Sequence, residues 1–251
     1  MTSTRAVSSI RHLLLVGGVA LIALLGMGCL DRPGPRPDRG TAQGATVVSF
    51  RTADGVTLNG RLWARDPRRV VIYLHKYRGN QSTWWPIAAE GSPTDPSALT
   101  LDFRGHGASE GDADEVSSTP EDAVAALAFV RERGYQRTVI VGAGMGAAAG
   151  MVAAADDPTT GMLGLSAPSA FADLEPVRLA HRFEQRIGLI ATDGDLSAKQ
   201  SIAEFRLHAA IPSARIVMLR GTDHGEGLLV GQRGREATVA FRRLIAELWQ
   251  S

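Results

Sequence analysis

The sequence predicts an α/β fold: a mostly parallel central sheet, an N-terminal antiparallel hairpin, helices on both faces and a minimal lid. Two β-type runs, 46–51 and 56–63, meet at Asp54-Gly55, a dipeptide typical of hairpin turns. Short apolar runs such as 70–74 follow, as expected for strands buried on both faces. Helix-forming segments alternate with these runs, which favours parallel strands joined by crossovers.

The remaining elements follow from the same patterns. Further strands are predicted at 98–101, 138–141, 161–165, 187–191 and 215–219. Helices are predicted at 119–133, 147–155, 197–209 and 235–249, with a short helix-like piece at 174–183. Thr119-Pro120 is a typical helix start, and Ser197 to Gln200 has the pattern of a capping box.

Composition excludes several classes of function. The chain has 251 residues, 44% of them hydrophobic and 21% charged, which suits one globular domain after a leader. Its formal net charge is +1, and no clustered basic face predicts a nucleic-acid partner. The one cysteine, Cys29, allows neither an intramolecular disulfide nor a Cys-His metal cluster. We therefore expect no metal and no cofactor.

The N-terminus has the features of an export signal. Residues 1–28 combine Arg5 and Arg11 with an apolar stretch that is too short to span a bilayer. The segment Leu25 to Cys29 resembles a bacterial lipobox, which implies lipidation of Cys29. An ordinary signal or a short uncleaved anchor remains the alternative. Residues 29–45 are rich in Pro and Gly and predict a tether, so the domain is expected at 46–251.

This leader predicts where the protein resides. We expect it in the cell envelope, lipid-anchored on the periplasmic or extracellular side, with a secreted form as the alternative. The membrane is then a partner through the lipidated N-terminus.

A glycine turn, Gly142-Ala143-Gly144-Met145-Gly146, lies between a predicted strand and a predicted helix. This is the setting of the nucleophile elbow, G-x-S-x-G, with Gly144 in the place of the serine. The same stretch also matches the dinucleotide fingerprint through Gly142-Ala143-Gly144. That fingerprint requires an acid after the next strand, and the segment 163–167 contains none. Because this acid is missing, dinucleotide binding is kept only as an alternative interpretation.

Four other segments accompany the turn, in order along the chain. They are Leu74 to Gly79, which contains His75; Leu101 to Ser109, with the pattern D-x-R-G-H-G-x-S; Thr192 to Asp195; and Gly221 to Gly225. Together with the turn they resemble the α/β-hydrolase fold family over residues 46–250.

The resemblance assigns roles to individual residues. The family order of nucleophile, acid and histidine falls on Gly144, Asp195 and His224. The oxyanion-hole amides would be those of Met145 and Tyr77. Lys76 stands where the family usually has glycine. Ser82, Ser109 and Ser166 are the candidate substitute nucleophiles.

The sequence thus predicts a pseudoenzyme derived from serine ester or amide hydrolases. Because Gly144 carries no nucleophile, we expect impaired catalysis, or binding of a small-molecule ligand or acyl substrate in the inherited site. An active hydrolase in which Asp195 and His224 activate water is the first alternative. Dinucleotide binding is the second.

Overall fold

The computed structural model describes residues 42–183 and 185–250. The predicted signal peptide (1–28), Cys29 and the tether as far as residue 41 lie outside the described residues. Within the described ranges, no helix is both long and apolar enough to cross a membrane.

Eight strands form one sheet in the order β1-β2-β4-β3-β5-β6-β7-β8. They are β1 (Thr46–Arg51), β2 (Thr57–Trp63), β3 (Asp66–Leu74), β4 (Pro96–Leu101), β5 (Arg137–Ala143), β6 (Thr160–Leu165), β7 (Ile187–Thr192) and β8 (Ile216–Leu219). The β1–β2 and β2–β4 pairs are antiparallel, and the other pairs are parallel. The predicted mostly parallel sheet with an N-terminal hairpin is confirmed.

Helices cover both faces of this sheet. They are α1 (Trp85–Ala88), α2 (Thr119–Glu132), α3 (Met145–Ala154), α4 (Leu196–His208) and α5 (Gly234–Leu248). Apolar residues of α2, α3 and α4 share one core with one face of the sheet. Those of α1 and α5 share a second core with the other face. Between β6 and β7, the described residues include a 3-10 helix, Pro176–Arg182, which fits the minimal lid.

Strand β3 shows why its sequence is continuously apolar. Successive side chains of a strand point to opposite faces. Ile72 and Leu74 accordingly belong to the core under α2 and α3, whereas Val71 and Tyr73 belong to the core under α5. The strand begins at Asp66, four residues before the predicted start, because pairing with β4 extends it across a bulge.

The start of α4 corrects a prediction. The sequence favoured Ser197 as the opening of a capping box, but the N-cap is Asp195. Its carboxylate Oδ1 accepts a hydrogen bond from the Ala198 N–H at 3.2 Å and from the Ser197 hydroxyl at 2.9 Å. Aspartate and serine both accept hydrogen bonds from the free amides of the first turn, but the carboxylate also interacts favourably with the positive end of the helix dipole.

The topology positions the predicted site. Strands β5, β6, β7 and β8 are parallel neighbours, so their carboxyl ends meet at one edge of the sheet. Gly144, Ser166, Asp195 and His224 follow these four strands in turn. Loops at this edge of an α/β sheet are the usual location of ligand sites.

Candidate active site

Gly144 forms the tight turn between β5 and α3, which we call the elbow. Its φ is +49° and its ψ is −117°, a conformation that residues with a β-carbon adopt only with strain. Close packing explains a neighbouring glycine: a β-carbon on Gly146 would lie 2.5 Å from the Leu74 carbonyl oxygen. The elbow therefore brings the start of α3 directly against the end of β3.

His224 and Asp195 form a hydrogen-bonded couple. His224 Nδ1 lies 2.6 Å from Asp195 Oδ2. Because the carboxylate can only accept, Nδ1 carries the proton and Nε2 is the free nitrogen of the neutral ring. The acid is held at a second point, since its Oδ1 caps α4. This double attachment fixes the orientation of the imidazole.

The environment of Asp195 favours its charged form. Burial opposes ionisation of the carboxyl group. Hydrogen bonds from His224, the Ala198 N–H and the hydroxyls of Ser197 and Ser166 outweigh that effect and lower its pKa below the ordinary value. Asp195 is thus an ionised acceptor for the imidazole at neutral pH.

His224 Nε2 faces the elbow. A β-carbon placed on Gly144 would lie 3.5 Å from Nε2 and 3.5 Å from Lys76 Cβ. Both are ordinary contact distances, so a hydroxyl on such a carbon could reach Nε2 for a hydrogen bond. The structure therefore brings Gly144, Asp195 and His224 together. We call the space above Gly144, between His224 and Lys76, the cleft.

The two amides predicted for an oxyanion hole lie in this region. Met145 is the first residue of α3, where backbone N–H groups have no partner inside the helix. Tyr77 lies in the loop after β3. Within the described part of the chain, neither amide donates a hydrogen bond to another protein atom.

His75 sets the direction of the Tyr77 amide. Its Nε2 accepts the Phe103 N–H at 3.1 Å, so Nδ1 must donate to the Lys76 carbonyl at 2.8 Å. The peptide bond is trans, and the Tyr77 N–H therefore points away from that carbonyl. Burial lowers the pKa of His75 to about 3, which keeps the ring neutral.

Ser166 has a role that the sequence did not indicate. It follows β6 with a φ of +46° and is 2% exposed. Its Oγ accepts the Gly225 N–H at 3.1 Å, and its hydroxyl is one of the groups that lower the pKa of Asp195. This buried serine therefore holds the loop that carries His224. The dinucleotide fingerprint would require an acidic residue at the end of β6, and Ser166 stands there instead.

The other two serines are tied to their own loops. Ser109 donates to the Asp102 carbonyl at 2.6 Å, and Ser82 donates to Asn80 Oδ1 at 2.5 Å. In the described part of the chain, neither is hydrogen-bonded to His224. These contacts favour structural roles over a role as nucleophile.

The D-x-R-G-H-G-x-S segment is likewise structural. Asp102 accepts hydrogen bonds from the Gln81 backbone and side chain and from the Ala108 N–H. Arg104, 1% exposed, pairs with Asp122 at 2.8 Å and with Asp54 at 2.9 Å. The segment joins β4 to α2 and to the N-terminal hairpin.

Glu226 is the other residue that sequence reasoning missed. It is 7% exposed, and its Oε1 accepts the Lys76 N–H at 2.8 Å. No local pattern marks a glutamate two positions after the histidine as buried, because its burial depends on a loop 150 residues away.

The described residues hold no cluster of three or more His, Cys, Asp or Glu side chains suited to a metal ion. A cavity of 360 Å³ lies away from the elbow, at the amino ends of β3 and β4. Arg65, Arg69, Ile87, Phe241 and Trp249 are among the residues that line it. It does not include the cleft.

A family model matches part of the sequence, and solved structures share the fold. A family model described as serine aminopeptidase, S33, matches residues 65–206, more than half of the chain. No curated protein matches it in sequence.

Three solved structures illustrate the shared fold. An esterase from Pyrococcus furiosus is 16% identical with a TM-score of 0.64, over 82% of this chain and 89% of that one. The α/β hydrolase GrgF from Penicillium sp. sh18 is 14% identical with a TM-score of 0.68, over 82% and 98%. An α/β hydrolase from Novosphingobium aromaticivorans is 15% identical with a TM-score of 0.60, over 81% and 99%.

Proposed function

The chain belongs to the serine aminopeptidase S33 family of α/β hydrolases, and on that premise we propose that it is a catalytically impaired member that binds a small acyl or carboxyl compound in the cleft. One observation carries the proposal. His224 Nε2 lies 3.5 Å from the point where a β-carbon of residue 144 would be, and residue 144 is glycine. The couple faces the elbow, but no side chain is there to attack a carbonyl.

The chemistry explains the consequence. In a serine hydrolase the histidine takes the proton of the hydroxyl that attacks, and a covalent acyl-enzyme follows. Without that hydroxyl no acyl-enzyme can form on residue 144. The amides of Met145 and Tyr77 and the start of α3 still present hydrogen-bond donors. Those groups suit a carbonyl or carboxylate oxygen as a bound ligand.

A second candidate is hydrolysis by water. The glycine leaves open space beside His224 Nε2, which the ring, oriented by Asp195, could use to activate a water molecule. Such a reaction lacks covalent catalysis, and we expect it to be slow.

Ester hydrolysis distinguishes the two candidates. We expect the wild-type protein to hydrolyse p-nitrophenyl acetate no faster than His224→Gln does. Gly144→Ser should hydrolyse it measurably faster than either, because it supplies the missing nucleophile. A wild-type rate more than about tenfold above that of His224→Gln would favour water activation and contradict the non-catalytic proposal.

We also propose that the protein is anchored to the cell envelope through a lipid on Cys29. The support is the leader at 1–28 and its resemblance to a lipobox. Wild-type protein should sediment with membranes and carry the mass of the lipid, whereas Cys29→Ser should be released in soluble form. Sedimentation of Cys29→Ser with membranes to the wild-type extent would contradict the lipid anchor.

A further inference from the structure

The side chain of Lys76 lies across two glycines of the cleft. Its Cβ lies 3.5 Å from the β-carbon position of Gly144. Its Cδ lies 3.3 Å from the β-carbon position of Gly225, the residue after His224. The aliphatic stem of Lys76 therefore runs from the elbow to the loop that carries the histidine.

Glu226 holds this stem in place at both ends. Its Oε1 accepts the Lys76 backbone N–H at 2.8 Å, and its Oε2 lies 3.9 Å from Lys76 Nζ. The carboxylate is 7% exposed, whereas the lysine side chain is 42% exposed. One buried acid thus binds the backbone and attracts the head group, which draws the ammonium toward Glu226.

The opening of the cleft is narrow at the elbow. Lys76 Cβ and His224 Nε2 each lie 3.5 Å from the same point above Gly144, so they are at most twice that distance apart. Non-bonded heavy atoms approach each other to about 3.5–4 Å. At that point the gap has room for one heavy atom. Beyond Cβ, the stem carbons as far as Cδ lie between the elbow and Gly225, where they face a ligand held above residue 144.

We propose that Lys76 determines which ligands reach the elbow, and that its stem restricts them to unbranched acyl or carboxyl groups such as acetyl. This inference rests on the proposed function, because it concerns the same cleft. A group branched at the carbon next to the carbonyl is wider than acetyl and collides with the part of the stem beyond Cβ. Size, and not the positive charge, is the property that matters, since the head group is drawn toward Glu226.

Two substitutions separate size from charge. Lys76→Ala removes the stem beyond Cβ together with the charge, whereas Lys76→Met removes the charge and keeps a stem of similar length. In the Gly144→Ser background, each is tested with p-nitrophenyl acetate and the branched p-nitrophenyl trimethylacetate. Taking the ratio of kcat/KM for the two esters cancels their different intrinsic reactivities.

We expect Lys76→Ala to raise the ratio of trimethylacetate to acetate at least about tenfold, the discrimination that a pocket exerts for one or two methyl groups. Lys76→Met should leave it within about twofold. An unchanged ratio in Lys76→Ala would overturn the proposal, as would an equal rise in Lys76→Met.

A binding measurement keeps the inference testable if Gly144→Ser is inactive, an outcome that counts against the inherited couple. Saturation-transfer NMR of the full chain with acetate and trimethylacetate needs no catalysis. Wild type and Lys76→Met should bind acetate in preference to trimethylacetate, and Lys76→Ala should bind both. Equal binding of the two acids by wild type would overturn the size restriction.

Discussion

At the residue scale, glycine at position 144 offers no nucleophilic side chain but adopts the backbone conformation of the elbow without strain. Its φ of +49° suits glycine and strains any residue with a β-carbon. A β-carbon there would nevertheless meet its neighbours only at ordinary contact distances of 3.5 Å. The cost of restoring a side chain is therefore conformational and involves no steric clash.

We expect Gly144→Ala and Gly144→Ser to lower the free energy of unfolding by similar amounts, about 1–2 kcal/mol each. Urea denaturation measures this. Gly227→Ala is the matched control, because a β-carbon there meets nothing within 4 Å and the backbone carries no positive φ. A Gly144→Ala variant as stable as wild type would show that the elbow is not strained.

His75 makes a second residue-scale prediction, about pH. Its pKa is lowered to about 3 by burial, whereas an exposed histidine titrates near 6.5. Below pH 6.5 the His75 ring takes up a proton in the unfolded chain but stays neutral in the folded chain. The free energy of unfolding is therefore highest above pH 6.5 and falls by about 1.4 kcal/mol per pH unit as the pH decreases toward 3.

Replacement of His75 should remove this dependence. Between pH 7 and pH 5, wild type should lose about 2 kcal/mol more unfolding free energy than His75→Gln. Glutamine can still donate to the Lys76 carbonyl and accept from Phe103. His208→Gln, on the exposed end of α4, should follow the wild-type curve. Parallel curves for wild type and His75→Gln would contradict the burial argument.

At the scale of elements, the start of α4 combines a structural and a chemical task. One oxygen of Asp195 caps the helix and the other binds His224. We expect Asp195→Asn to retain most of the cap, and Asp195→Ala to lose about 1 kcal/mol more stability. In the Gly144→Ser background, Asp195→Asn should lower kcat at least about a hundredfold.

Urea denaturation and ester hydrolysis report these two losses separately. Equal instability of Asp195→Asn and Asp195→Ala would show that the carboxylate does not cap α4. Full activity of Asp195→Asn in the serine background would show that the charge does not assist the imidazole.

The elements also show what the sequence could predict. Short apolar runs and turn dipeptides identified the strands, because strands buried on both faces leave that pattern. The cap of α4 was predicted at Ser197, two residues from the observed Asp195. The bond from Gly225 to Ser166 and the burial of Glu226 were missed, and both depend on contacts between distant loops, such as the 2.8 Å bond from Lys76 to Glu226. No local pattern contains that information.

At the scale of the whole molecule, the sheet explains how the site keeps its geometry with glycine at position 144, as the proposed function requires. Four neighbouring parallel strands deliver the elbow, Ser166, the acid and the histidine to one edge. Apolar cores on both faces of the sheet hold this arrangement, and Met145, which belongs to one of them, serves the site only through its backbone amide. Under the proposed function, loss of one hydroxymethyl group would remove chemistry without removing the fold.

Labelling with a fluorophosphonate, followed by mass spectrometry of the full chain, tests this account most directly. The reagent reports a hydroxyl that a histidine has activated. We expect no adduct on wild type, one adduct at position 144 in Gly144→Ser, and its loss when His224→Ala is added. An adduct on any side chain of wild type, or a folded Gly144→Ser variant that stays unlabelled, would contradict an intact acid–histidine couple facing an elbow without a nucleophile.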